Sequence, residues 1–397
     1  CLILRITCVN YASICGEYMI YLTHSLRRII KMYIHQLSKW PEFIWDNNAL
    51  AELLANVRYH QGRLLGKMEG LGFPLQEEAT LKTLTQEVVK SSEIEGEILN
   101  PDQVRSSIAR RLGMDLAGLV PSDRNVDGVV EMMLDATQGY NVKLTDDRLF
   151  EWHEALFPTG RSGMAKIVTG AWRDNGKDDP MQIVSGPMGM QKVHYQAPDS
   201  EILNDEMQQF ITWFNTNMNI DPVLKAGIAH VWFVTIHPFE DGNGRIARAI
   251  TDMQLARADG NGQRFYSMSA QIQAERSAYY DILEKTQKDS LDITEWLLWF
   301  LSCYERALSN TDETLSVVMR KAKLWENPAA ENLNDRQRYM LNKLFDGFFG
   351  TLNSSKWAKM AKCSQDTATR DIQDLIERGI LIKGTAGGRS TSYILKE

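Results

Sequence analysis

The chain has 397 residues, of which 44% are hydrophobic, and its formal net charge at pH 7 is −7. This length exceeds that of one ordinary hydrophobic core and predicts two or three folded units. The negative charge excludes a general electrostatic attraction to nucleic acid or to an anionic membrane. Any contact with DNA therefore has to come from a local basic surface.

Five cysteines are present, three of them within the first fifteen residues, and no CxxC or Cys/His metal spacing occurs. The sequence therefore predicts neither a disulfide framework nor a structural zinc site, and it favours the reducing cytoplasm.

Residues 1–31 differ from the rest of the chain because they are apolar and contain a single acidic residue, Glu17. Basic residues interrupt them, so they match neither a transmembrane helix nor a signal peptide, and no membrane association is predicted. We interpret residues 1–31 as a non-native or disordered extension, with Met19 or Met32 as the natural start.

Helical patterns dominate from residue 32 onward. Helices are predicted over residues 48–68 and 75–93, and in the second the apolar positions recur at three- and four-residue intervals. Residues 181–198 alternate in polarity around a Gly-Pro turn, which predicts a β-hairpin. A helix rich in Trp and Leu is predicted over residues 293–308, followed by a polar linker that contains Pro328.

The last seventy residues have the element order of a winged helix-turn-helix. Three helices and two strands are predicted, over residues 335–345, 355–361, 364–378, 380–383 and 392–395. The predicted recognition helix starts at Ser364 as N-cap and exposes polar side chains, and basic residues flank the wing; these are Gln365, Thr367, Thr369, Arg370, Lys383 and Arg389. Eight Lys or Arg and five Asp or Glu lie between positions 354 and 397. DNA and protein both remain open as the partner of this unit.

The chemistry is concentrated in the run HPFEDGNGRIAR, residues 237–248. A strongly apolar helix stops before Pro238, and a second helix begins near Asn243. The free N–H groups at the start of that helix favour anions, and the glycines at positions 242 and 244 leave room for a phosphate.

Charged side chains around this loop complete a nucleotide site. Arg245 and Arg248 lie three residues apart on one helical face, so both guanidinium groups can reach phosphate oxygens. Asp241 offers the hard oxygen that Mg²⁺ prefers beside substrate phosphates. His237 is placed to act as a base for an incoming hydroxyl.

Together these residues resemble the Fic family signature HPFxxGNGRxxR at all eight fixed positions. The resemblance implies a mainly α fold with a helical Fic core, a β-hairpin flap, a small N-terminal cap and a C-terminal winged helix-turn-helix. The domains implied are residues 32–110 for the cap with its inhibitory helix, 111–310 for the Fic core and 330–397 for the winged helix.

The same resemblance assigns roles to single residues. It implies that His237 is the general base and that Asp241 is the Mg²⁺ ligand. It implies that Arg245 contacts the phosphates and that Arg248 orients the γ-phosphate of ATP. The anion-binding turn would consist of Gly242, Asn243 and Gly244.

Two further segments resemble family features. Ser91, Glu95 and Gly96 fit the inhibitory pattern [S/T]xxxE[G/N], which implies that Glu95 pairs with the second arginine of the signature and excludes a productive γ-phosphate. Ile183 and Val184 lie in the predicted hairpin, which resembles the flap that holds a target segment as an added strand.

The resemblance implies an autoinhibited protein adenylyltransferase. Such an enzyme transfers AMP from MgATP to a Ser, Thr or Tyr hydroxyl of a protein, itself included, and releases pyrophosphate. A homodimer and removal of AMP are left open. Two alternatives also remain: a DNA-binding regulator whose Fic core senses nucleotide, and a transferase of another phosphate-containing group such as UMP or phosphocholine.

Overall fold

A computed structural model describes most of the chain. The described residues are 32–396, apart from 71–72, 115, 117, 177, 187–189, 217–218, 289, 346–347, 349 and 385–390. The extension expected over residues 1–31, and Arg389 of the expected wing, lie outside the described residues. Within them, no helix combines the length and the apolar character needed to cross a membrane.

The fold is mainly α, which confirms the predicted class. The helices are α1 (Asn47–Glu69), α2 (Phe73–Ile94), α3 (Pro101–Arg111), α4 (Arg124–Gln138), α5 (Asp146–Leu156), α6 (Leu203–Asn215), α7 (Pro222–Ile236), α8 (Asn243–Asp259), α9 (Met268–Ala274), α10 (Arg276–Thr286), α11 (Thr294–Trp325), α12 (Asp335–Phe345), α13 (Ser354–Met360) and α14 (Gln365–Glu377). Three antiparallel hairpins pair β1 (Arg161–Ser162) with β2 (Ala165–Lys166), β3 (Gln182–Ser185) with β4 (Lys192–Gln196), and β5 (Leu381–Lys383) with β6 (Tyr393–Leu395). The first hairpin was not predicted.

Helix α7 lies at the centre of the protein and packs along α8. Nearly every residue of α7 is buried, as expected for a helix that is apolar on all sides. Its start is fixed by Pro222 in the first turn and by Asp221, whose carboxylate accepts a hydrogen bond of 2.8 Å from the backbone N–H of Val223. The rigid pair α7 and α8 therefore holds the loop between them in place.

The predicted N-terminal helices are present as α1 and α2. Helix α1 packs against α11, and α2 packs against α3 and α9. Glu87 anchors α2 to the start of α9, because its buried carboxylate accepts hydrogen bonds from the Ser267 hydroxyl at 2.6 Å and from the Ser269 backbone N–H. The C-terminal end of α2 is thereby fixed against the core.

Helix α11 is longer than predicted. The expected helix end at residue 308 was wrong, because the helix continues to Trp325, and the linker with Pro328 begins only after that residue. Leu315 and Val318 are buried along this extension. Lys321 forms an ion pair with Glu78 on α2. Tertiary contacts thus keep a mainly polar segment helical.

Residues 330–395 surround a hydrophobic cluster of their own, in which Met340, Trp357, Ile372 and Leu375 are buried. Helices α12, α13 and α14 and the β5–β6 hairpin follow one another in the predicted order. The side chain of Ser364 accepts a hydrogen bond from the Thr367 backbone N–H, so Ser364 is the N-cap of α14, as predicted.

Candidate active site

The loop between α7 and α8 has a backbone that few sequences can adopt. His237 ends α7 with a φ of 52°, and Gly242 precedes α8 with a φ of 83°. A Cβ atom at Gly242 would lie 2.9 Å from the Phe157 ring. Asn243 closes the loop, since its amide oxygen accepts from the Phe239 N–H at 3.0 Å and its amide nitrogen donates to the Phe239 carbonyl at 2.8 Å.

The loop presents His237 as a neutral base. Its Nδ1 atom lies 3.3 Å from the Val234 carbonyl oxygen, so an Nδ1–H donor leaves the lone pair on Nε2 free to accept a proton. Burial lowers the pKa of His237 to about 4, with Arg173 adding to the effect. The imidazole is therefore uncharged at neutral pH.

Arg173 braces the same loop, and the sequence had assigned it no role. Its Nε atom donates to the His237 carbonyl at 2.8 Å and its backbone N–H donates to the Pro238 carbonyl at 2.9 Å. Its Nη2 atom donates to the Pro198 carbonyl at 2.5 Å. Burial lowers the pKa of Arg173 to about 10, which still leaves the guanidinium charged at neutral pH. No local sequence signal connects positions so far apart.

Arg245 and Arg248 point into the same region from the first turns of α8. Their side chains are only 6% and 2% exposed. Arg245 lies over the Phe157 ring, 5.0 Å from its centroid. The Nε atom of Arg245 and the Nη1 atom of Arg248 find no hydrogen-bond partner among the described residues. Buried donors of this kind normally have a partner, so the site is suited to an anion.

The C-terminal end of α2 reaches Arg248. Glu95 Oε1 lies 2.8 Å from Arg248 Nη2. Ser91 accepts twice from the same guanidinium, through its hydroxyl at 2.9 Å and its carbonyl at 2.8 Å. Burial is the largest influence and would lower the pKa of Arg248, but the Glu95 carboxylate together with Tyr279 and Tyr280 raises it. A Cβ atom at Gly244 would collide with Glu95 Oε1, so the carboxylate covers the start of α8.

A second carboxylate contacts the other arginine. Glu97 Oε2 lies 2.6 Å from Arg245 Nη1. No local sequence pattern singles out Glu97, because its contact joins positions 97 and 245. In the described structure, both signature arginines are therefore paired with acidic side chains.

Asp241 lies at the same loop. Its Oδ1 atom accepts from the Gly242 N–H at 2.6 Å, and its Oδ2 atom accepts from the hydroxyl of Ser162 on β1. Among the described residues there is no group of three or more His, Cys, Asp or Glu side chains that could hold a metal ion. One carboxylate beside a phosphate site fits Mg²⁺, which takes its remaining ligands from substrate and water.

The expected flap residues lie in the β3–β4 hairpin. Ile183 pairs with Tyr195, and Val184, which is 40% exposed, pairs with Val193. The Tyr195 hydroxyl donates to the Thr235 carbonyl at 2.7 Å, two residues before His237. The hairpin is thereby attached beside the loop.

Family comparison agrees with this geometry. Residues 143–255 match the model of the Fic/DOC family, and residues 33–114 match the model of a domain of unknown function, DUF4172. Residues 143–255 form a Fic/DOC domain. This Fic/DOC domain contains α7, most of α8, the loop with His237 and both arginines.

Similar proteins carry the same family name. The chain is 27% identical over 230 residues to protein adenylyltransferase Fic of Aedes aegypti, covering 56% of this chain and 40% of that protein. It is 24% identical over 303 residues to the protein of the same name from Drosophila erecta, covering 72% and 56%. The chain thus spans about half the length of these relatives.

A solved structure supports the fold. A Fic domain containing signaling protein from Bacteroides thetaiotaomicron superposes with a TM-score of 0.50 at 19% identity, covering 68% of this chain and 97% of that one. At this identity the likeness shows the fold alone.

Proposed function

We propose that the protein is an adenylyltransferase that moves AMP from MgATP to a Ser, Thr or Tyr hydroxyl of a protein and releases pyrophosphate. One observation carries the proposal. Two arginines, 6% and 2% exposed, hold N–H donors at the start of α8 that have no hydrogen-bond partner in the described part of the chain, beside a neutral histidine. Relatives named protein adenylyltransferase Fic support it.

Each residue of the site has a separate role in the transfer of AMP. The hydroxyl oxygen of the target attacks the α-phosphorus of ATP, and the bond from that phosphorus to the pyrophosphate oxygen breaks. The proton of the hydroxyl moves to Nε2 of His237. Arg245, Arg248 and the N–H groups at the start of α8 bind the phosphates and stabilise the charge that develops on them.

Asp241 would hold the Mg²⁺ ion, which supplies charge neutralisation to the leaving pyrophosphate. Arg173 keeps the carbonyl of His237 in place, so the imidazole is oriented before the substrate arrives. The β3–β4 hairpin would hold the target segment by adding it as a strand beside Ile183 and Val184.

The proposal includes a restraint by α2. The Glu95 carboxylate pairs with Arg248 and covers the start of α8. We assign the γ-phosphate of ATP to the same place. A charge-assisted contact of this kind is worth about 1.5–3 kcal/mol, so it biases the pose of ATP without making inhibition irreversible.

The test uses ATP labelled on the α-phosphate. Glu95→Gly should raise labelling of the protein itself and of added lysate proteins, and adding His237→Ala to that variant should abolish it. ATP labelled on the γ-phosphate is the control and should transfer no label. Labelling that persists in the double variant would remove His237 from the base role.

Labelled UTP and CDP-choline tested in parallel separate AMP transfer from transfer of UMP or phosphocholine. A protein that binds ATP and labels nothing, even as Glu95→Gly, would favour the nucleotide-sensing regulator. We place the activity in the cytoplasm, which suits the free thiols of Cys303 and Cys363.

DNA binding by residues 330–397, which we propose as a separate winged-helix domain, is a second candidate. Gln365, Thr369 and Arg370 are exposed on α14, where a winged helix contacts the major groove. Asp366 and Glu377 are exposed on the same helix and weaken the attraction to phosphate. Retardation of random duplex DNA at low salt, lost in Arg370→Ala, would support this function; no retardation would exclude it.

A further inference from the structure

We propose that Glu97 is a second nucleotide gate, which controls Arg245 as Glu95 controls Arg248. This inference rests on the proposed nucleotide site and names a further residue that sets its affinity for a triphosphate. The contact that carries it is the 2.6 Å ion pair between Glu97 Oε2 and Arg245 Nη1.

The turn that ends α2 aims both carboxylates at the site. The Glu97 N–H donates to the Ser92 carbonyl at 3.0 Å, and the Gly96 N–H donates to the Glu93 carbonyl at 3.0 Å. These two bonds define a Schellman turn with Gly96 in the left-handed conformation, at a φ of 85°. Glu95 and Glu97 flank that glycine and reach neighbouring arginines on α8.

Burial distinguishes the partners in each pair. Arg245 is 6% exposed, whereas Glu97 is 37% exposed, and the Glu95–Arg248 pair has the same asymmetry. The arginine side chains are held inside the protein. The carboxylates lie at its surface, so they can separate from the arginines and move into solvent. A phosphate that needs Arg245 must displace Glu97.

The Nε atom of Arg245 has no partner among the described residues even with Glu97 in place. Glu97 therefore satisfies one end of the guanidinium and leaves another donor for an anion. That donor is itself buried, so an incoming phosphate has to compete with Glu97 for Nη1 before it can use Nε. Removing Glu95 alone leaves this second competition intact.

The experiment compares Glu95→Gly with Glu95→Gly/Glu97→Gln. Calorimetric titration with a non-hydrolysable ATP analogue and Mg²⁺ should show about fivefold tighter binding in the double variant, as expected for loss of one partly exposed ion pair. In labelling assays the KM for ATP should fall while kcat stays the same, because the released contact is made before the chemical step.

Two variants make the test specific. Glu97→Asp keeps the negative charge but shortens the reach of the carboxylate. In the Glu95→Gly background it should therefore bind the analogue as tightly as Glu97→Gln does. An affinity equal to that of Glu95→Gly alone would overturn the proposal. Glu93→Gln is the matched control on the same helix end, since Glu93 pairs with Lys90 at 2.6 Å, and it should leave binding unchanged.

The outcomes separate this inference from the proposed function. Tighter analogue binding without any labelling would support the gate and defeat AMP transfer. Labelling by Glu95→Gly with the same analogue affinity in the double variant would defeat the gate alone.

Discussion

Arg248 is 2% exposed and Glu95 is 30% exposed, and their side chains meet at 2.8 Å where α2 ends against α8. The buried guanidinium has little freedom, because it also donates twice to Ser91. Of the two side chains, the Glu95 carboxylate is the one that can move into solvent. We therefore expect control of the site to act through the end of α2.

Gly96→Ala should release the restraint through the backbone. Gly96 has a φ of 85°, which costs an alanine about 1 kcal/mol, although no atom lies within 4 Å of the added Cβ. The turn should relax and move both carboxylates, so labelling from α-labelled ATP should rise several-fold.

Gly66→Ala is the control, because Gly66 is inside α1 and also has nothing within 4 Å. It should raise the free energy of unfolding by about 0.5–1 kcal/mol and leave labelling unchanged. Equal labelling by wild type and Gly96→Ala would show that the turn does not aim the carboxylates.

Arg173→Lys should lower kcat in the Glu95→Gly background. Lysine cannot reproduce the donors that reach the carbonyls of His237 and Pro198, so the imidazole loses its orientation. We expect a fall in kcat on the order of tenfold with little change in the KM for ATP, measured by initial rates of labelling.

Arg264→Lys controls for lost stability. Arg264 is also buried and donates to Asp252, which lies in the second half of α8. The thermal stability of Arg264→Lys should fall as much as that of Arg173→Lys, but its kcat should be retained. If kcat falls equally in both variants, Arg173 acts only by stabilising the fold.

Acidification should destabilise the fold through His230. Burial, with Arg248 as the second cause, lowers the pKa of His230 to about 3, whereas the usual value is near 6.5. Between these values the unfolded chain binds a proton that the folded protein does not. The free energy of unfolding should therefore fall as the pH drops from 6.5 towards 3, by up to about 1.4 kcal/mol per unit.

His230→Gln tests this assignment by urea denaturation at several pH values. The imidazole bonds the Thr251 hydroxyl at 2.9 Å and the Tyr279 hydroxyl at 2.8 Å, and glutamine can also offer a donor and an acceptor. The variant should show a flatter dependence below pH 6.5. An unchanged slope would assign the acid sensitivity to other groups.

Much of the site could be read from residues 237–248, because a helix exit, a glycine-bearing turn and two arginines at helical spacing are all local patterns. The contact between Glu95 and Arg248 could be anticipated only from the family resemblance. The roles of Arg173 and Glu97 could not, since each depends on a contact between segments that only the folded chain brings together.

The fold was predictable where apolar periodicity was strong, as in α2, where a long apolar run stopped before a proline, as in α7, and where turn chemistry was clear, as in β3 and β4. It was not predictable after residue 308. There residues 309–314 are all polar, and Leu315, Val318 and the ion pair of Lys321 with Glu78 keep the rest of the helix ordered. Local propensity does not contain such long-range support.

The Schellman turn at Gly96 makes release a concerted event. Its hydrogen bonds tie Glu95 and Glu97 to one short rigid segment, so a displacement of the helix end withdraws both acids from α8 together. Under the proposed inhibition, an activator that displaces this helix end would therefore free both arginines at once.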